Sequence, residues 1–246
     1  MFKKVLASVG IGGAKVDTLV LREHVQPGES LPICVVVEGG AVVQSISGLT
    51  LALMTKVKFE TDDGEGFRNV ELQRWKLDKE FEVQPGERKE FAMDLSLHLE
   101  TPLTHLQCPV NQSRVWIQTG LEIDMAVDAD DVDALTVIPT ATMQACMEAM
   151  ERCGLQMVKA DVEAGTLSAS NFQSSLGCYQ ELEYKPAGWL TTLQEVELSF
   201  VAQPGVTHVL IEVDRMLRGD SYVALSLPDG ISEAEVEQQL RGCLGL

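Results

Sequence analysis

Four carboxylates fall within six residues in Asp128-Ala-Asp-Asp-Val-Asp133. Clustered oxygen ligands suit a hard cation such as Ca²⁺. An EF-hand loop starting at Asp128, however, needs Gly in its sixth place and Glu in its twelfth, where Asp133 and Pro139 stand. A polar turn with solvated charges is therefore favoured over a looser oxygen-ligand site. His98, His105 and Cys108 are zinc-competent residue types, but no paired ligand motif completes a site, and they read as loop residues. Gly10-Ile-Gly-Gly13 lacks the spacing of a dinucleotide-binding loop, and no G-x-S-x-G or Walker pattern occurs. His24 and His208 could each act as a base, yet the sequence offers no nucleophile beside them. Glu212, Asp214, Arg215 and Arg218 form a mixed-charge group. They suit either a charged contact between domains or with a partner, or a solvated strand end before Gly219-Asp220. No catalytic, cofactor-binding or metal-ligating residue is assigned, and no cofactor is expected.

The elements that would position these residues are mostly strands. Val16–Arg22 reads as a first strand, followed by the turn Val25-Gln-Pro-Gly-Glu29, in which Pro and Gly occupy the central positions of a type II turn. The same pentapeptide recurs at 83–87, and Ala202-Gln-Pro-Gly205 is a weaker third copy. Repeated turns of one chemistry suggest repeated strand connections. Residues 41–60 suggest two strand segments with a bulge or bend at Ser47-Gly48. Leu49, Leu51 and Leu53 share one face there at period two. Asp62-Asp63-Gly64 marks an exposed hairpin tip. The strongest strand, from Val115 through Met125, runs into the acidic turn, and Pro139 closes the short apolar run that follows.

After Pro139 the period changes. Met143, Cys146, Met147 and Met150 fall at i, i+3, i+4 and i+7, predicting an amphipathic helix over 140–153 with Gly154 as its stop. Five further strands follow to Leu227, and Ser232-Glu-Ala-Glu235 is a capping box for a short last helix. Many short strands, Gly/Pro turns and no βαβ rhythm predict an all-β fold. The length suits two tandem β-sandwiches, residues 1–133 and 134–246, with the 140–153 helix in the second and near the junction.

Net charge is −18, with 13 basic and 22 acidic residues before position 139 and 6 and 15 after it. Acidity in both halves opposes the phosphate attraction on which nucleic-acid binding rests, and also adsorption to anionic lipid. The 6 cysteines are widely and irregularly spaced, without a C-x-x-C pair, and read as reduced, packed thiols. The opening Met1-Phe-Lys-Lys-Val-Leu-Ala-Ser-Val-Gly-Ile-Gly-Gly-Ala14 has a short, glycine-broken apolar run that argues against a signal peptide, and no window is long enough to span a membrane. A cytoplasmic location is expected.

The opening Met1–Thr18, the two Val-Gln-Pro-Gly-Glu turns, Leu53-Met-Thr55 and above all Thr119-Gly-Leu-Glu-Ile-Asp-Met-Ala-Val-Asp128 through Pro139 resemble the sporulation-control protein family of the stage-zero M type. Glu212-Val-Asp-Arg215 and Arg218-Gly219 resemble its late strand. The resemblance implies an arrestin-like pair of β-sandwiches in a regulatory protein without assigned catalysis. The resulting expectation is a non-enzymatic cytoplasmic regulatory or scaffold protein. It would bind other proteins, or a second copy of itself, through sheet faces and edges, with no nucleic-acid partner and no membrane span. The alternative is a metal- or carbohydrate-binding β-sandwich, or an enzyme with an unrecognised site.

Overall fold

The computed structural model describes residues 12–61, 64–77, 80–124, 127–188, 193–216 and 219–246. Gly10, the start of the family resemblance, the Asp62-Asp63 tip, Met125 and Arg218 lie outside the described residues. Among the described residues the fold is all-β with two short helices.

In the first half, β1 (Lys15–Val20), β2 (Ser30–Glu38) and β6 (Arg88–Ser96) form an antiparallel sheet in the order β1-β2-β6. Opposite it lies β3 (Gln44–Thr61). On one side β3 pairs with β4 (Gly64–Leu77) and β5 (Phe81–Val83), and on the other with β8 (Val115–Ile123), which in turn carries β9 (Ala129–Ala134). Alternate residues of both sheets turn inward. Leu31, Ile33 and Val35 of β2 share one buried core with Leu49, Leu51 and Leu53 of β3. Each such side chain contributes roughly 1.5–3 kcal/mol by leaving water.

The repeated turns have a common physical cause. Gly28 and Gly86 sit at φ of +80° and +71°, which side chains with a Cβ adopt only at a cost. The Glu29 N–H donates to the Gln26 carbonyl at 3.1 Å, and the Glu29 carboxylate accepts from the Gln26 N–H at 2.9 Å. Glu87 repeats both bonds with Gln84, at 3.0 and 2.7 Å. The glutamate of the motif thus satisfies a backbone donor that the turn would otherwise leave open.

Two sequence expectations are corrected. Residues 41–60 are not two segments. They fall mainly in one 18-residue strand, β3, whose register against β8 shifts between Ile46 and Gly48, so the glycine marks a bulge rather than a break. The acidic stretch is not a solvated turn either, because Ala129–Ala134 is strand β9, paired residue by residue with β8. Asp130 is exposed while Asp131 and Asp133 turn to the half-buried side, and Asp131 accepts the Thr18 N–H of β1 at 2.7 Å. An edge position lets one side of the strand keep its charges near water.

Helix α1 (Ala141–Arg152) begins where Thr140 caps it, the hydroxyl accepting from the Met143 N–H at 3.4 Å, and ends before Gly154 at φ +81°. Met143 belongs to the first core, whereas Ala145, Cys146, Met147, Ala149 and Met150 belong to the second. The helix therefore spans the joint. Beyond it, β10 (Leu155–Ala164), β13 (Cys178–Pro186), β14 (Leu193–Gln203), β15 (Val206–Arg215) and β16 (Gly219–Pro228) form antiparallel neighbours in the order β16-β15-β14-β13-β10. A small hairpin, β11 (Ser168–Ala169) and β12 (Phe172–Gln173), interrupts the sequence between β10 and β13. On its other side β10 pairs in parallel with β3 and with β7 (Val110–Asn111), linking the two halves.

Helix α2 (Glu233–Leu244) starts at the Ser232–Glu235 capping box and buries Val236, Leu240 and Leu244, spaced four apart on one face. The Arg215 guanidinium donates to the Leu244 carbonyl at 2.7 Å, and Arg152 ties α1 to Glu237 of α2 at 2.6 Å. Both helices pack with Leu182, Tyr184, Val196, Leu198, Val209 and Ile211 on one face of the second sheet. All six cysteines are free thiols. Among the described residues, no helix is long and apolar enough to cross a membrane.

Candidate functional site

The side chains between those core positions point to the other face of the second sheet, and most of them are acidic. Register places Glu183 of β13 opposite Glu197 of β14, and Glu197 opposite Glu212 of β15. Glu195 stands opposite Asp214 in the next pair along. On β10, Lys159 lies opposite Glu183 and Asp161 opposite Glu181. Directly opposed residues have Cβ atoms about 5 Å apart, so like charges there repel. The face is thus a carboxylate wall running across four strands.

Its two ends differ in how that repulsion is met. At the β10 end two lysines enter. Lys58 Nζ, contributed by β3, lies 2.7 Å from Glu163, 3.3 Å from Glu65 and 3.5 Å from Asp161. Lys159 Nζ lies 2.8 Å from Asp161 and also reaches Glu183. Asp161 is 1% exposed, and its Oδ1 has no hydrogen-bond partner among the described residues. Burial alone would lower the pKa of Lys58, but its hydrogen bond to Glu163 and the charges of Asp161 and Glu163 outweigh that and hold it above the ordinary lysine value.

Toward β14 and β15 the cations thin out. Lys185 reaches Glu195 at 3.2 Å. Burial pushes Glu181 up to about 8, helped by the charges of Glu197, Glu163 and Asp161. Burial likewise raises Glu197 to about 7, with Glu212, Glu195 and Glu183 adding to it. Around neutral pH this part of the wall holds protons that ordinary carboxylates would have lost. A cavity of about 250 Å³ opens between Glu195, Glu197, Glu212 and Asp214. A second, of about 150 Å³, shares Glu197 and Glu212 with it and reaches Glu181, Tyr179 and Tyr222.

Two carboxylate triplets bring ligand oxygens within 4.8 Å of one another: Asp161, Glu163 and Glu181, and Glu183, Glu195 and Glu197. Such oxygen-only sets suit Ca²⁺ or Mg²⁺. In the first triplet the Lys58 and Lys159 ammoniums already neutralise Asp161 and Glu163. In the second, Lys159 reaches Glu183 and Lys185 reaches Glu195, and the triplet adjoins the cavity between Glu195, Glu197, Glu212 and Asp214.

Sequence spacing pointed elsewhere. Among the described residues, neither the Asp128–Asp133 carboxylates nor His98, His105 and Cys108 gather into a set of three ligands. Asp128 accepts the Ile123 N–H at 3.0 Å, and Asp133 is raised to about 7 by burial and by neighbouring Asp131 and Asp17. His105 faces His24, with ring centroids 6.1 Å apart. His208 is buried against Phe172, between Ser226 and Gln203.

His98 meets Ser175 at 3.2 Å, and the Ser175 hydroxyl donates to Glu100 at 2.7 Å, which superficially gathers a Ser–His–Glu set. The His98 Nδ1, however, accepts the Glu100 N–H at 3.0 Å. The neutral ring therefore carries its proton on the nitrogen facing the serine and cannot take one from it. The mixed-charge group is split: Glu212 and Asp214 line the acidic cavity while Arg215 caps α2.

A profile of the family described as SpoOM protein matches residues 2–217. The sporulation-control protein spo0M of Bacillus subtilis (strain 168) is 34% identical over 220 residues, covering 89% of this chain and 82% of that protein. The crystal structure of Spo0M, sporulation control protein, from Bacillus subtilis superposes with a TM-score of 0.83 at 28% identity, covering 96% of this chain and 99% of that one.

Proposed function

The chain belongs to the SpoOM protein family, and from that premise we propose that it is a non-enzymatic, cytoplasmic regulatory protein that binds basic segments of other proteins on its acidic sheet face. One observation carries this reading. A row of directly opposed carboxylates, Glu183, Glu197 and Glu212, lies on the sheet face away from the helix-covered core, and Glu197 is held near neutrality. Like charges placed opposite one another cost stability, and departures of this kind concentrate at functional sites. A lysine- or arginine-rich segment would relieve the repulsion and ionise the held carboxyls. The same acidity disfavours nucleic acid and anionic membrane as partners. The two apolar cores support two units as part of the same reading, with Leu135, Val137 and Met143 packed in the first core and so carrying its edge past the expected boundary at 133.

The test is affinity capture from the native host with the intact chain and with Glu197→Gln/Glu212→Gln. Proteins retained by the first should elute with about 0.5 M salt, where charge attraction is screened over a few ångströms, and be missing from the second. An identical retained set on both would overturn the proposal. The close oxygens of Glu183, Glu195 and Glu197 favour one second reading, a hard-cation site. In that case Ca²⁺ or Mg²⁺ titration would raise the melting temperature, since a ligand of the folded state stabilises it.

A further inference from the structure

Among the described residues, Asp161 is the most deeply buried carboxylate, at 1% exposed. The nearest contacts of Lys58 and Lys159, at 3.5 and 2.8 Å, go to its Oδ2. Its Oδ1 is enclosed without a hydrogen-bond partner. A buried polar atom left in this way is costly, and a bound ion is one of the few things that would explain it. Register supplies the company such an ion needs. Asp161 stands opposite Glu181 across β10 and β13, and Glu163 follows Asp161 by two residues and so shares its face. One carboxylate oxygen from each of the three lies within 4.8 Å of the others. The charges also leave an excess. Lys58 reaches Glu65, Asp161 and Glu163, and Lys159 reaches Asp161 and Glu183. With Glu181 beside Asp161, these two ammoniums face five carboxylates.

We infer that Asp161, Glu163 and Glu181 form a Ca²⁺ site in competition with Lys58, the ion drawing on Asp161 Oδ1 and one oxygen from each glutamate. Ca²⁺ bonds of about 2.3–2.6 Å, with tolerance of irregular geometry, let small side-chain shifts close three such oxygens on one ion. Mg²⁺ demands octahedral geometry and keeps several waters, for which a carboxylate as enclosed as Asp161 leaves little room. The other triplet, Glu183, Glu195 and Glu197, has no member so enclosed. Lys58 comes from β3 of the first half, so the ion and the joint between the halves draw on the same carboxylates. This inference goes beyond the basic-segment reading, which concerns Glu197 and Glu212.

Calorimetric titration of the full, chelator-washed chain with CaCl₂ tests it, beside Asp161→Asn, Glu181→Gln, Lys58→Met and Glu195→Gln. The expected result is one Ca²⁺ per chain, bound more tightly than Mg²⁺. Affinity should fall at least about tenfold in Asp161→Asn and in Glu181→Gln, each of which loses a charged ligand. Lys58→Met should bind about tenfold more tightly, because an ammonium 2.7 Å from Glu163 and 3.5 Å from Asp161 is gone. A merely structural role for Asp161 would not produce that gain. Melting temperature gives a second measurement: Ca²⁺ should raise it in the wild type and raise it further in Lys58→Met. Glu181 is only partly buried, so Glu181→Gln keeps the inference testable should Asp161→Asn not fold. Four outcomes would each overturn it: no binding up to about 10 mM Ca²⁺, binding unchanged in Asp161→Asn and Glu181→Gln, binding lost in Glu195→Gln alone, or a Lys58→Met that binds no tighter. All of them leave the basic-segment reading standing, because Glu197→Gln/Glu212→Gln decides that one.

Discussion

The two halves close their cores by different means, and the difference accounts for where the chemistry gathers. In the first half the inward faces of two sheets bury Leu31, Ile33, Leu49 and Leu51 against each other. In the second, helices α1 and α2 cover one sheet face, and the other is left to Glu181, Glu183, Glu197 and Glu212. Covering a sheet with helices makes its two faces chemically unlike. The apolar face carries the stability, and the acidic one spends some of it in like-charge repulsion.

The largest expected effects test whether the two cores are of equal rank. Leu51→Ala and Leu198→Ala each remove a fully buried side chain, one per core, and each should cost about 3 kcal/mol in urea denaturation. If one of them costs less than about 1 kcal/mol, that core is not tightly packed. Next comes the joint between the halves. Lys58→Met leaves Asp161 buried with Lys159 as its remaining close cation, and should destabilise by about 2 kcal/mol in the same assay.

The acidic face should then make itself felt through pH. Glu181 and Glu197 have folded pKa values of about 8 and about 7, above the ordinary 4.5 of an unfolded glutamate. Between pH 4.5 and 8 the folded state therefore binds more protons than the unfolded one, and stability must fall as pH rises through that window. Because both side chains are partly exposed, solvent screening limits the fall to on the order of 1 kcal/mol. Denaturation at pH 6 and pH 8.5 should show the loss, and Glu181→Gln/Glu197→Gln should flatten it. A double variant with the wild-type slope would place the pH dependence elsewhere. The smallest effect concerns the helical cover: Ser232→Ala removes the α2 cap and should cost about 1 kcal/mol, read as faster amide exchange in 233–236.

Much of the fold could be read along the chain because its causes are local. The period-two apolar pattern of Leu49, Leu51 and Leu53, the Met143–Met150 stripe, the Ser232–Glu235 box and the Gln-Pro-Gly turns each act within a few residues. The acidic face could not be found this way. Glu163, Glu183, Glu197 and Glu212 come from four strands, and in each strand they look like ordinary water-facing positions. Only cross-strand register makes them neighbours. The same blindness to pairing turned β9 into a solvated turn, since Ala129–Ala134 has too few apolar residues to resemble a strand. The two-residue strands β11 and β12 carry too short a pattern to be seen at all.

Lys58 has one more consequence. Its backbone belongs to β3 and the first core's longest strand, yet its ammonium is lodged among Asp161 and Glu163 of the second half. A fragment ending after the first half would leave Lys58 with Glu65 in place of its three carboxylates, and a fragment holding only the second would keep Asp161 with one cation fewer. The protein can be cut in two by its cores but not by its charges, so excised halves should each be less soluble and less stable than their share of the whole.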